Sequence, residues 1–575
     1  MKRTDRDTLP LEVKKSKQDS LNLELECPVV LSEGSAKITF DREDEVFYNK
    51  VQVFNRDLSV MVISMFYEQL QIESLHQNQL KLNCKPWRQL KPTLQSWGAD
   101  NYGDIHQVQV STKDEEPRCL RLLEALSATG LRSIRYIKEI PGKKHIVIND
   151  IDPAAVHAIK RNLEYNQIEK QLYHVNQGDA AQLMFNSRSI EKQFDVIDLD
   201  PYGSASVFID TAVQSVANGG LLAITCTDLS VLCGSHMDAC YSKYGAVPLK
   251  APYCHEMALR IVLADLNRQA AKYKRYIVPL YCVRVDFYVR LFVRVYESAK
   301  ECRLSSAKIS NVYQCCRCDN FVLQPLGRIN PKNGHSMPAR GPIVGPRCEH
   351  CGGEYVIGGP IWNKPMLNRE FGNQLLVRLS SFAKKRKINK SGDNSKSDSK
   401  QTISVPSYTK YVTTGSRIIA EISKALREVH DAPLFWSLSS ICKTLRCTAP
   451  SIAKVQTALK NAGYEVSQSA TNPDSIKTDA NASTMWDIFR EWIEINPRNE
   501  KHANDKNEVS NIILKKKPKL SVDFESGFKE LKAKRKRERS ETTRYQLNPE
   551  KYWGPKSRAT GFARKKKVVI MNSKK

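Results

Sequence analysis

The sequence predicts an α/β protein, a doubly wound sheet followed by a second, smaller α+β domain, and three observations carry that expectation. From Cys119 onward, compact apolar runs alternate with amphipathic stretches, as strands and helices do in turn. Successive runs end in small residues and carboxylates, which is where an open α/β sheet presents a ligand crevice. Two Cys-x-x-Cys pairs stand 29 residues apart, well beyond the last of those runs.

Taken in order, residues 1–37 are polar and mixed, with no sustained period, and are expected to be a flexible leader. Residues 38–300 form the first folded domain. Within it, Leu120 to Leu126 and His145 to Asn149 read as strands, and Leu131 to Ile140 and Pro153 to Tyr165 as the helices that follow them. Leu172 to Asn176, Phe194 to Leu199 and Gly220 to Thr225 complete the strands, and the last two suit the buried centre of a parallel, Rossmann-like sheet. Residues 301–495 form the second domain, with a disordered insertion near 384–405 where Lys, Ser, Asp and Asn replace any apolar period. Tyr408 to Val429 has helical spacing. Leu438 to Leu445, Ser451 to Gly463 and Tyr464 to Val466 read either as a winged-helix-like module or as an ordinary helical packing unit. Residues 496–575 are expected to be a basic disordered tail.

The 575-residue chain carries a net charge of +27, and from Asn511 to Lys575 there are 21 Lys/Arg against 6 Asp/Glu, which places +15 of the excess there. Such a balance favours a nucleic-acid partner, because neutralising phosphates releases counterions. The charged opening Met1-Lys2-Arg3 has no apolar stretch behind it and no run approaches 20 apolar residues, so neither secretion nor a membrane span is expected. Sixteen cysteines in a chain of this kind read as reduced thiols and metal ligands. No obligate protein partner is evident.

The first strand runs from Glu124 into Ala125-Leu126-Ser127-Ala128-Thr129-Gly130, a loop of mostly small residues that lets a ligand approach backbone amides. Asp150 ends the next strand, placed to accept from the hydroxyls of an adenosine ribose. Asp179 follows the third, placed to accept from the adenine amine, while Ala180 offers a backbone N–H. Only Gly130 is glycine, so no pyrophosphate is cradled and S-adenosylmethionine is favoured over a dinucleotide.

The fourth strand ends in Asp198-Leu199-Asp200-Pro201-Tyr202-Gly203-Ser204. Methyl transfer to an aromatic amine needs an acceptor for the amine hydrogens and a flat contact for the base. Asp200, with the Pro201 carbonyl, suits the first role, and Tyr202 suits the second. This marks a class I S-adenosylmethionine-dependent methyltransferase acting on a base. The rivals are transfer to adenine N6, whose usual signature has a second proline where Tyr202 stands, and a non-catalytic tRNA-binding or zinc adaptor.

Cys315, Cys318, Cys348 and Cys351 have the pattern of a structural zinc site, with Cys316 and His350 as competing ligands. The basic clusters Lys384 to Lys387, Lys532 to Arg539 and Arg564 to Lys567 serve either nuclear import or contact with RNA backbone.

With these residues assembled, the chain resembles the tRNA guanine-26 N2-dimethyltransferase family of eukaryotes and archaea from about Phe47 to about Trp492. The resemblance rests on Phe47-Tyr48-Asn49, Asn55 to Ser59, Ala125 to Tyr136, Asp200 to Ser204, Thr225 to Asp228 and His255 to Arg260. Lys50 stands where the family usually carries proline. The resemblance implies Arg56, Arg132, Asp150, Asp179 and Ala180 at the cofactor, Asp200 as the catalytic carboxylate, and two successive transfers to guanine N2 of a tRNA. Either Arg132 or Arg135 faces the pocket. A nuclear enzyme is expected, with cytoplasmic or mitochondrial pools as alternatives.

Overall fold

The computed structural model describes residues 29–40, 48–82, 118–391, 407–498 and 508–541. A hairpin, β1 (Val29–Glu33) and β2 (Ala36–Phe40), comes first, and a long helix, α1 (Val53–Leu82), follows. The alternating segment then forms β3 (Leu120–Glu124), α2 (Leu131–Glu139), β4 (Lys144–Asp150), α3 (Pro153–Tyr165), β5 (Tyr173–Gln177), α4 (Ala180–Asn186), β6 (Phe194–Leu199), α5 (Ser206–Ser215) and β7 (Val216–Cys226). After α6 (Leu229–Leu232), α7 (Met237–Tyr244) and α8 (Cys254–Lys272), the antiparallel pair β8 (Arg275–Val285) and β9 (Tyr288–Glu297) closes the edge.

The seven strands are ordered β5-β4-β3-β6-β7-β9-β8, parallel from β5 to β7 and antiparallel where β9 joins β7. All six residues of β6 are buried, as an apolar strand covered on both faces requires. One face packs against α4, α5 and α8, the other against α1, α2 and α3. Strand order reverses between β3 and β6, so the crevice of such a sheet opens at the carboxyl ends of these two strands.

The turn α9 (Ala299–Cys302) leads to a three-stranded antiparallel sheet, ordered β11-β10-β14, of β10 (Ile309–Cys315), β11 (Phe321–Pro325) and β14 (Tyr355–Trp362). A small hairpin, β12 (Gly327–Ile329) with β13 (Ser336–Pro338), is inserted in it. Then come α10 (Arg369–Ser391), α11 (Gly415–Leu426), β15 (Trp436–Ser437), α12 (Leu438–Leu445), α13 (Ile452–Asn461), β16 (Val466–Ser467), β17 (Ser475–Thr478) and α14 (Ala482–Ile495). The order helix, strand, two helices and two strands, with sheet order β15-β17-β16, is that of a winged helix, the first of the two readings open in the sequence.

Three expected boundaries are displaced. The hairpin Val29–Phe40 begins inside the stretch expected as leader, because Ala36, Ile38 and Phe40 bury themselves in the α1 face of the sheet. Helix α10 runs to Ser391 through the start of the expected insertion, whose residues 392–405 lie outside those described. The expected tail contains α15 (Glu508–Lys515) and α16 (Phe528–Glu541), and Ile513 and Phe524 join the C-terminal core. Within the basic run Lys532 to Arg539, Arg535 is buried and donates to Gln456 (2.6 Å) and Gln468 (2.9 Å). Arg564 to Lys567 lies outside the described residues.

The second domain is not a separate body. Phe371, Leu375 and Leu379 of α10 and Ile418 and Ile422 of α11 lie in the same core as α1. Glu256 on α8 is fully buried between Arg260 (2.9 Å) and Lys477 of the wing (2.6 Å). Burial alone would push its carboxyl up, but Lys477 and Arg260 hold it down at about 2.

Arg135 on α2 is wholly buried, pairs with Glu139 of its own helix (2.9 Å), and ties α2 to β1 through Glu33 (2.7 Å) and to α1 through Asp57 (2.7 Å), while Asp57 also accepts from the Thr413 and Thr414 amides. Arg135→Leu takes the shared cation from three buried carboxylates, of which only Glu33 keeps another, Arg56, and is expected to lower stability by about 3–5 kcal/mol, read by urea unfolding. A change within about 0.5 kcal/mol would mean that the network is solvated.

Candidate active site

The crevice is assembled from three strand-end loops held together by Asn149. Its Nδ2 donates to the Ala125 carbonyl (2.9 Å) and the Gly178 carbonyl (3.0 Å), and its Oδ1 accepts from Asn176 (2.6 Å). Asp150 beside it accepts from the Ala128 amide (2.8 Å) and the Asp152 amide (3.0 Å), one on each oxygen, leaving further lone pairs for a ligand. Gly130 caps α2 at φ 74°, and an added Cβ would meet Ile159 at 3.3 Å, so a close helix approach and a left-handed backbone both call for glycine.

Asp179 is exposed, caps α4, and accepts from the Gln182 amide (3.0 Å). Ala180, at the first position of that helix, has an amide without a partner among the described residues. A free N–H beside a carboxylate at the end of the third strand matches what an adenine edge requires.

Asp198 and Asp200 stand two apart at the end of β6, so both side chains leave on one side. Asp198 is 1% exposed and is held by Arg290 (2.8 and 3.0 Å), Tyr136 (2.5 Å) and, at 3.6 Å, Arg132. Burial opposes its charge, yet Arg290 and Arg132 hold its carboxyl below the ordinary carboxylate range. Arg132 also donates from Nη1 to Ser59 Oγ (3.2 Å), and its Nη2 pairs with Asp200 Oδ2. Asp200 Oδ1 has no partner among the described residues and the side chain is 20% exposed, so one edge is fixed and the other is open.

The turn after Asp200 is clamped from β7. The Gly203 amide donates to Thr227 Oγ1 and the Thr227 amide to the Gly203 carbonyl, both at 2.8 Å, with Gly203 at φ 78°. Ser204 donates to Tyr244 (2.7 Å), which donates to Asp228 (3.0 Å). Pro201 is buried, and Tyr202 is 67% exposed within electrostatic reach of both Asp200 and Asp150. Tyr288 near Asp200 is fully buried, and its hydroxyl has no partner among the described residues.

Of the expected cofactor residues, Asp150, Asp179 and Ala180 lie at these strand ends and Arg132 in the first turn of α2, and Arg132 rather than Arg135 meets Asp200. Arg56 is committed to Glu33 through Nε (2.6 Å) and Nη2 (2.5 Å), and to the Asn49 carbonyl (3.1 Å), which leaves Nη1 as its available edge. Ser59, Tyr136, Asp198, Tyr288 and Arg290 are additions that only the fold reveals. The arginines at 290 and 294 within an otherwise apolar strand were the visible signal for a buried charge.

The four expected thiols converge: Cys315, Cys318, Cys348 and Cys351 are all buried, with Cys315 to Cys351 at 3.4 Å and Cys318 to Cys348 at 3.7 Å between sulfurs. A tetrahedral zinc with Zn–S near 2.3 Å sets sulfurs about 3.8 Å apart, so the donor set fits. Cys316 is exposed and His350 packs against Trp486, so neither belongs to the cluster.

A family model described as N2,N2-dimethylguanosine tRNA methyltransferase matches residues 28–393 and 399–490. The chain is 40% identical to the tRNA (guanine(26)-N(2))-dimethyltransferase 2 of Arabidopsis thaliana, over 92% of this chain and 88% of that one. It is 34% identical to the mitochondrial tRNA (guanine(26)-N(2))-dimethyltransferase of Saccharomyces cerevisiae, over 92% of each. The solved complex of Trm1 from Pyrococcus horikoshii with S-adenosyl-L-methionine superposes with a TM-score of 0.56 at 25% identity, over 82% of this chain and all of that one.

Glu124, buried at the end of β3 against Ser133, has its carboxyl pushed up to about 8 by burial, which outweighs the pull of Arg132. The folded form binds this proton more tightly than the unfolded chain, so its stabilising contribution is full below the ordinary carboxylate range and is lost as pH rises through about 8. Glu124→Gln is expected to gain thermal midpoint relative to wild type between about pH 5 and about pH 8. Parallel pH profiles of the two proteins would show that Glu124 is ionised throughout.

Proposed function

Because the chain belongs to the N2,N2-dimethylguanosine tRNA methyltransferase family and is an S-adenosylmethionine-dependent tRNA (guanine(26)-N2)-dimethyltransferase, we propose how its own residues divide that work. The enzyme methylates the exocyclic N2 of guanine 26 of tRNA, first to N2-methylguanosine and then to N2,N2-dimethylguanosine. When bound, S-adenosylmethionine supplies a methyl group on a positively charged sulfur. Asp150 accepts from the ribose hydroxyls, Asp179 and the Ala180 amide read the adenine edge, and Arg132 with the open Nη1 of Arg56 takes the methionine carboxylate.

Guanine N2 is a poor nucleophile because its lone pair is delocalised into the ring. Asp200 Oδ1 accepts a hydrogen bond from that amine, localises the lone pair and takes the proton released on attack. The Pro201 carbonyl accepts from the other N–H, and Tyr202 stacks on the extruded base. One N–H survives the first transfer, so once Asp200 has released its proton to solvent the same oxygen serves the second. The observation that carries this assignment is Asp200 at the reversal point of the sheet, with one oxygen locked by Arg132 and the other open. That open acceptor also disfavours a non-catalytic adaptor.

The winged helix and α16 supply the grip on tRNA backbone, with Lys460, Lys534 and Lys536 exposed on α13 and α16. Cys315, Cys318, Cys348 and Cys351 hold a structural zinc, since four thiolates leave no open position. The basic clusters support a nuclear pool and the mitochondrial relative a mitochondrial one.

In single-turnover incubation with S-adenosylmethionine and unmodified tRNA transcript, Asp200→Ala is expected to lose about 10²–10⁴-fold in methylation rate at unchanged tRNA affinity, read by nucleoside mass spectrometry. Turnover like wild type would remove Asp200 from the mechanism. Cys351→Ser should release the zinc of its cluster and lower the thermal midpoint, because Cys351 packs in the core that holds Trp436 and Trp486. Unchanged metal content would overturn the four-cysteine assignment.

A further inference from the structure

A second set of metal-binding side chains lies apart from the four-cysteine cluster. Cys233 caps α6, and Cys254 and His255 open α8. A ligand atom from each lies within 4.8 Å of the other two, and Cys233 Sγ is 3.4 Å from His255 Nδ1. A zinc ion bonded at about 2.3 Å to sulfur and about 2.0–2.1 Å to nitrogen, with tetrahedral angles, sets an S···N edge of about 3.5 Å. The observed edge is that of a preformed site. All three residues are partly exposed, unlike the four buried cysteines.

We infer that Cys233, Cys254 and His255 form a second zinc site, of Cys2His type, with water in the fourth position. Two thiolates and one imidazole are a soft to borderline set that selects zinc over magnesium or calcium. The ion would join the segment after Asp228 to the start of α8. That segment carries Asp228 and Tyr244, which hold Ser204 of the catalytic turn, and α8 carries Glu256, which holds Lys477 of the wing. Zinc here would therefore clamp the target-base side of the crevice to the tRNA-gripping module. The inference concerns metal content and does not depend on the roles proposed for Asp200 or the cofactor residues.

The test is zinc per chain by mass spectrometry of the full-length protein purified under reducing conditions. Two equivalents are expected in wild type, falling to one in Cys233→Ser/Cys254→Ser and to one in Cys351→Ser. One equivalent in wild type, retained by the Cys233→Ser/Cys254→Ser variant, would overturn the inference and leave the 3.4 Å contact as a thiol–imidazole hydrogen bond. A Cys233–Cys254 disulfide in the unreduced peptide map would overturn it too. Should the variant not fold, cobalt titration of wild-type apoprotein decides. Two binding phases, with thiolate-to-metal absorption from both clusters, support the site, and saturation at one equivalent excludes it.

Discussion

Two carboxylates leave one side of the central strand β6, and a single arginine meets both. Asp198 lies deep and Asp200 at the rim, two residues apart, and Arg132 lies between them. Burying Asp198 is costly unless it is paired, and Arg290 from β9 and Tyr136 from α2 provide the pairing. Arg132 in turn reaches α1 through Ser59. The orientation of Asp200 is thus tied to four core elements, β6, β9, α2 and α1. Such bracing is what the base role proposed for Asp200 requires, since a weak base acts on an aromatic amine only when it is held in place.

The same logic holds the cofactor side. Asn149 donates to two loops and accepts from a third strand, so the ends of β3, β4 and β5 form one rigid rim. A buried amide with its donors and acceptor satisfied costs little and specifies geometry closely. Asp150, the residue proposed to take the ribose hydroxyls, stands next to Asn149 on this rim. Across the sheet, Glu256 couples α8 to the wing through Lys477, so the module proposed to grip tRNA is braced against the first domain.

Much of this was legible in the amino-acid order. Strand and helix positions from Leu120 to Cys226 follow from apolar periodicity, because buried parallel strands leave little freedom in composition. The carboxylates Asp150, Asp179 and Asp200 were readable because the chain places them where consecutive strands end. The four thiols were readable because Cys-x-x-Cys spacing suits a metal knuckle. The hairpin Val29–Phe40 and helices α15 and α16 were missed because they are short and find their partners more than a hundred positions away or on a module whose own fold was ambiguous.

By itself, then, the sequence determined the sheet, the identities of the groups at its strand ends and the paired Cys-x-x-Cys knuckles, since each depends on local period or spacing. Only the tertiary structure decided that Arg132 and not Arg135 meets Asp200, although the two lie three residues apart on one helix. It also decided that Asp198, Arg290 and Tyr136 support that pair, and that Cys233 meets His255. The physical reason is that charge pairing is set by which buried groups share a low-dielectric space. That neighbourhood comes from long-range packing and leaves no period in the chain.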